Sequence, residues 1–223
     1  VAETSAGIRD SLEVLATVEV PVLVIPGNRE SYGRYMGAMA KAGERHGNLI
    51  DMAIVRLVDA ERFAVVSLPG YYDPRYVHAK DGCLYRPEHV AALADIAAKA
   101  SSKPVILLAH SPPKAKGRGA IDFADAGANV GDPDMTKMLK SSGAFNAGVY
   151  ANLHEAGGRA AGANLQTKVR HNTWVSSIHL VTGSANAMPW PMLDGRVSQG
   201  MAGLLDIDTK GRLRYRVMRI IAP

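Results

Sequence analysis

Three apolar runs in this 223-residue chain each end in residues able to do chemistry. The run "VPVLVIP" breaks into Gly27, Asn28, Arg29 and Glu30; "PVILLAH" ends in His110; "AFNAGVYANLHEAGGRAAG" presents Asn152 and His154. Two imidazoles and two carboxamides are N and O donors suited to a borderline metal such as zinc, manganese or iron. Arg29, next to Asn28, offers a permanent positive charge that stabilises phosphate but cannot release a proton near neutral pH.

These residues act together only if the chain brings the strand ends to one place. Residues 18–26, 48–58, 62–70 and 104–110 are rich in β-branched and aliphatic residues and read as strands. Residues 30–47 have helical composition with a Gly after the end, and 86–103 is the cleanest helix, with Pro87 in its first turn. A short helix is expected over 134–143, and a strand followed by a polar turn over 144–162. Loops fill 71–85, with turn chemistry at Asp73-Pro74, and 111–134. From Leu165 onward the segments alternate, and the turn from Asp208 to Gly211 predicts a terminal hairpin. Strands that alternate with helices early and form hairpins late predict a layered α/β fold with a mixed sheet. The strand ends of such a sheet meet over one edge.

Composition narrows the function. Apolar residues make up 47% and charged residues 21%, enough for a sizeable core. The net charge of +5 is mild, and the 6% aromatics are not interleaved with basic residues, so nucleic-acid binding is not expected. Arg212, Arg214, Arg216 and Arg219 predict a strand with one solvated face, or else a surface for an anionic partner. No run is long and apolar enough to span a bilayer and no signal peptide is legible, so a soluble chain of unassigned compartment is expected. The single cysteine, Cys83, sits in loop-like sequence and reads as a buried or incidental thiol.

Other polar residues have plainer readings. Asp122, Asp125, Asp132 and Asp134 read as turn and capping residues, with Asp132 or Asp134 placed to cap the 134–141 helix. His46, His78, His89, His171 and His179 lie in no motif. Trp190, between two prolines and flanked by Met188 and Met192, is either an exposed partner contact or a loop anchor. Asn28 also suits a turn with left-handed backbone. Arg29 is expected to pair with Glu30 or with a carboxylate of the 122–134 loop.

From Val20 to about Ala160 the order and spacing of these residues resemble the calcineurin-like metallophosphoesterases. That family carries Gly-Asn-His-Asp/Glu after a strand, then a strand ending in His, then Gly-His-x-His. "AHSPP", "HEAGGRA" and, more faintly, "LVTGSAN" resemble its flanking text. The resemblance implies a two-sheet β-sandwich flanked by helices around two divalent ions (Mn, Fe or Zn) that activate water against a phosphate ester. Carried over position by position, Asn28, His110 and Asn152 correspond to ligands of one ion and His154 to a ligand of the other. Arg29 and His110 are then the catalytic candidates.

Departures from the family pattern fall on the same positions. Arg29 stands where the family has its proton donor or transition-state histidine, and Asn152 stands where it has an imidazole ligand. The family's Asp-x-His and Gly-Asp motifs precede its Asn motif, yet "ETSAGIRDSLEVLATV" holds no Gly-Asp. The expectation is a single metallophosphoesterase-like domain over 1–223, lacking or truncated at its N-terminal strand. Its two-metal site is degenerate, its metal absent or weakly bound, and its role that of a binding or assembly module with a protein partner. The alternative is an active phosphoesterase whose first motifs lie outside this chain.

Overall fold

Strands buried on both faces need a layer on each side. All five residues of Ala64–Leu68 and all four of Ile178–Val181 are buried, so the fold must be layered. The computed structural model describes residues 3–220. The expected domain therefore includes five terminal residues that lie outside the described ones. In chain order the elements are α1 (Ser5–Ala16), β1 (Val22–Val24), α2 (Tyr32–Gly43), β2 (Leu49–Asp51), β3 (Leu57–Asp59) and β4 (Ala64–Leu68). Then come α3 (Pro87–Ala91), α4 (Leu93–Ala98), β5 (Val105–Ala109), α5 (Pro133–Ser142), β6 (Ala147–Tyr150), β7 (Ala160–Ala161) and β8 (Ile178–Val181). The last four are β9 (Trp190–Pro191), β10 (Val197–Ser198), β11 (Met201–Ile207) and β12 (Leu213–Arg219).

The central sheet has six strands in the order β3-β4-β5-β6-β8-β7. Its four middle strands run parallel, and β3 and β7 are antiparallel edges. Alternate residues of β4 and β5 face opposite layers, as the pleat requires. Val66, Leu68, Val105 and Leu107 pack on Val90, Leu93, Met135 and Leu139 of α3, α4 and α5. Val65 and Ile106, with Ile178 and Leu180, pack instead on Leu23 and Ile50 of β1 and β2 and on Leu205, Leu213 and Tyr215 of β11 and β12. On the outside of β1 and β2, helices α1 and α2 bury Ile8, Leu12, Tyr35 and Met39. The result is an α/β sandwich with mixed strands and helices on both outer faces. Its second layer consists of two separate strand pairs, parallel β1-β2 and antiparallel β11-β12.

Several local expectations change. Helix α1 carries no strong sequence signal; Thr4 caps it by accepting from the Gly7 N–H. The strand expected over 18–26 shortens to β1. The strand expected over 48–58 breaks in two because the Asp51 carboxylate turns back to accept from the Ala53 N–H and the Tyr35 hydroxyl. Asp132, as expected, caps α5, accepting from the backbone N–H of Asp134 and Met135, and Gly143 ends the helix at φ 59°. On β12, Arg214 and Arg216 both reach Asp206, while Arg212 reaches Asp208 and Arg219 reaches Asp194. The basic tail is thus a strand whose charges are matched locally. No helix among the described residues is long and apolar enough to cross a membrane.

Candidate functional site

Parallel strands deliver their C-terminal ends to one edge. After β4 comes Tyr71, after β5 His110, after β6 Asn152 and His154. The loop after β1 reaches the same edge from the second layer, where the Gly70 N–H donates to the Pro26 C=O at 3.0 Å.

Asn28 and His110 meet there directly. The imidazole Nε2 lies 3.0 Å from the Asn28 Oδ1, and the Asn28 Nδ2 donates to the Tyr76 C=O at 2.9 Å. With an oxygen facing it, Nε2 carries the proton of the neutral ring. Gly27 lies against the same ring: a Cβ there would stand 2.7 Å from the His110 Cε1, so only glycine permits this approach. Burial pulls the His110 pKa down to about 4, although the Glu30 charge and a hydrogen bond with Asn152 act the other way. His110 is therefore neutral near physiological pH. Glu30 is itself buried, with Oε1 accepting from the Gly27 N–H at 2.5 Å.

Asn152 holds a special backbone conformation. Its φ is 63°, and the Leu153 N–H donates across it to the Ala151 C=O at 2.8 Å. This is a γ-turn with its central residue at positive φ, a strained form that Asn tolerates better than most residues. The turn points the Asn152 Nδ2 at the Tyr71 hydroxyl, 3.1 Å away, and the Tyr71 ring stands edge-on to His110 with centroids 6.0 Å apart. The left-handed backbone thus belongs to Asn152; Asn28 is not among the positive-φ residues.

His154 follows in a short 3-10 turn, half-buried, with its ring edge-on to Trp190 at 4.8 Å. Burial lowers its pKa, Glu155 opposes that shift, and the Arg29 charge reinforces it. The His154 Nδ1 is buried with no hydrogen-bond partner among the described residues. Trp190 is thus partly exposed and also anchored through His154.

Arg29 does not pair as expected. Its Nε donates to the Glu3 Oε1 at 2.6 Å and its Nη2 contacts the same oxygen, out at the surface before α1. Three of the expected acids are engaged elsewhere. Glu30 turns inward, Asp122 accepts from the Asn129 Nδ2 and the Gly131 N–H, and Asp132 caps α5 and accepts from the Tyr85 hydroxyl at 2.9 Å.

The structure therefore gathers Asn28, His110 and Asn152 into one hydrogen-bonded group, sets His154 beside it, and turns Arg29 outward. The ligands expected from the sequence are here two imidazoles and two neutral amides, with the buried Glu30 carboxylate close enough for its charge to act on His110. Among the described residues no group of three or more His, Cys, Asp or Glu is arranged to hold a metal. Tyr71 and Trp190 belong to the site but lie in no family motif; the "PGYY" stretch at the end of the predicted 62–70 strand could have flagged Tyr71. Three of the remaining histidines do structural work. His46 meets Glu13 at 2.8 Å, the His89 Nδ1 accepts from the Arg86 N–H, and His179 is buried beside the Tyr150 hydroxyl at 2.8 Å. Burial raises the Cys83 thiol to about 11, which removes its nucleophilic form near neutral pH.

Solved structures share this fold. One has a TM-score of 0.64 at 13% identity, covering 95% of this chain and 71% of its own. Another, TT1561 of Thermus thermophilus, has a TM-score of 0.58 at 15% identity, covering 96% of this chain and 80% of its own. At these identities the likeness is one of fold. No protein-family model matches the chain, and no match is found among curated proteins.

Proposed function

We propose that this chain is a metallophosphoesterase-like scaffold whose two-metal site is degenerate, and that it serves as a binding or assembly module with catalysis impaired. The observation that carries the reading is the 3.0 Å contact between Asn28 and His110. In the resembling family both side chains are metal ligands; here the ring nitrogen and the amide oxygen satisfy each other.

The donor set supports the same reading. Two dications a few ångströms apart repel strongly in a low-dielectric site unless carboxylates lie between them. Here the candidate donors are neutral, Arg29 adds a positive charge that His154 feels, and the nearby Glu30 accepts from the Gly27 N–H. These residues do not fit a pair of divalent ions. The strand-end edge and the adjoining 111–132 loop are the surface such a module would offer to a protein partner.

One observation favours a second reading. The His154 Nδ1 is buried without a partner among the described residues, as a nitrogen awaiting a ligand would be. In that reading the chain is a metal-dependent phosphoesterase, with Asn28, His110, Asn152 and His154 holding metal and Arg29 clamping phosphate. One experiment separates the two: metal content by mass spectrometry of protein purified with manganese, followed by hydrolysis of an aryl phosphate. The first reading expects less than stoichiometric metal and no turnover beyond that of His110→Ala. Two bound ions per chain, or turnover that His110→Ala abolishes, would refute it.

A further inference from the structure

The chain between β7 and β8 forms a groove of about 380 Å³, within the size range of small-molecule sites. Lys168, Arg170, Thr173, Ser176 and Ser177 line it, with Val175 as an apolar patch, and no carboxylate among the described residues lines it. Lys168 and Arg170 are exposed, and among the described residues neither pairs with an acid. The arginines of β12 and its turn differ, since each of the four reaches an aspartate.

A second observation comes from Ser177. Its Oγ is buried at the groove yet has no hydrogen-bond partner among the described residues. A buried hydroxyl left unpaired costs free energy, so native structures supply a partner, from the protein or from a ligand. The groove walls are held by backbone. Val175 exchanges both hydrogen bonds with Leu213, at 2.9 and 2.7 Å, and the Val169 N–H donates to the Ala160 C=O at 3.0 Å. Two cations without an acidic partner among the described residues therefore line one groove, with a buried, unpaired hydroxyl in its wall and backbone hydrogen bonds tying that wall to its neighbours.

We propose that this groove binds a phosphate oxyanion, either free or as the terminal group of a small phosphate monoester. Lys168 and Arg170 supply the charge and Ser177 donates from below. Charge-assisted hydrogen bonds to phosphate are the strong class, and Arg suits its planar geometry. The site does not depend on the strand-end residues, so it stands whether or not the chain is an enzyme.

The test is an amide NMR titration with inorganic phosphate and, separately, phenyl phosphate, at constant ionic strength with a chelator present and chloride as control. Either phosphate probe is expected to shift the amides of Lys168, Arg170, Ser176 and Ser177 saturably. Tighter binding of phenyl phosphate assigns the groove to an ester, with its organic part on Val175; equal binding assigns it to free phosphate. The double variant Lys168→Ala, Arg170→Ala is expected to weaken binding at least about tenfold, the scale of a lost charge-assisted contact. Ser177→Ala is expected to weaken it severalfold without lowering Tm, because the hydroxyl it removes bonds to nothing else among the described residues. The proposal falls if chloride reproduces the shifts, if the shifts map elsewhere, or if both variants bind as the parent does.

Discussion

Gly27→Ala tests the geometry of the strand-end site most directly. The new Cβ would stand 2.7 Å from the His110 Cε1, 2.8 Å from Nδ1 and 3.0 Å from Nε2, where ordinary contact begins at 3.4 Å. The ring must withdraw by about 0.7 Å, and it has little freedom to do so. Asn28 holds its Nε2 at 3.0 Å and the Tyr71 ring stands edge-on to it. Forcing extra volume into a packed position costs about 1–3 kcal/mol. Loosening one buried hydrogen bond adds about 1 kcal/mol. The expected loss is therefore roughly 2–4 kcal/mol, measured by urea unfolding. The decisive comparison is the double-mutant cycle with His110→Ala. Once the imidazole is gone, the methyl added at position 27 fills vacated space, and Gly27→Ala should then cost close to nothing. The cycle should therefore show coupling of roughly 2–4 kcal/mol, the whole of the single-variant cost, as expected for residues in direct contact. Costs that simply add would mean that the ring does not lie over Gly27, and the hydrogen-bonded group built on that ring would be wrong.

Acid should destabilise the fold through His179. Burial lowers its pKa to about 4 from the ordinary 6.5. Between those values the unfolded chain binds the proton and the folded chain does not, so stability rises with pH through the window and is lost as pH falls through it. Unfolding free energies should drop by roughly 2 kcal/mol for this group between neutral pH and about pH 5. Its imidazole resonances should stay unprotonated until well below pH 6.5, and ordinary titration near that value would refute the assignment. Asp132→Ala removes the cap of α5 and the partner of the buried Tyr85 hydroxyl. It should cost about 2–4 kcal/mol in urea unfolding, with Asp132→Asn recovering part of the loss because an amide oxygen still caps the helix. An Asp132→Ala variant as stable as the parent would remove the loop's structural role.

Local chemistry was readable in one dimension wherever a residue's neighbours in sequence are also its neighbours in space. The buried strand β5 follows from an unbroken apolar run and β4 from one interrupted only by Ser67, the cap of α5 from Asp132, and the terminal hairpin from the turn at Asp208 to Gly211. The convergence of His110 and Asn152 was legible as well, because neighbouring parallel strands end on one edge; Asn28 reaches that edge from β1 in the second layer, which the packing of the layers decided. Only the tertiary structure decided what those residues do on arrival. Arg29 turned to Glu3, 26 positions away, while Glu30 turned inward to the Gly27 N–H. The Asn28 oxygen met the His110 ring across 82 positions, and Tyr71 joined the site across 81. Sequence pattern ranks residue types by what they can bind, but a side chain's partner is settled by competition among all groups within reach. That competition exists only after the layers have packed.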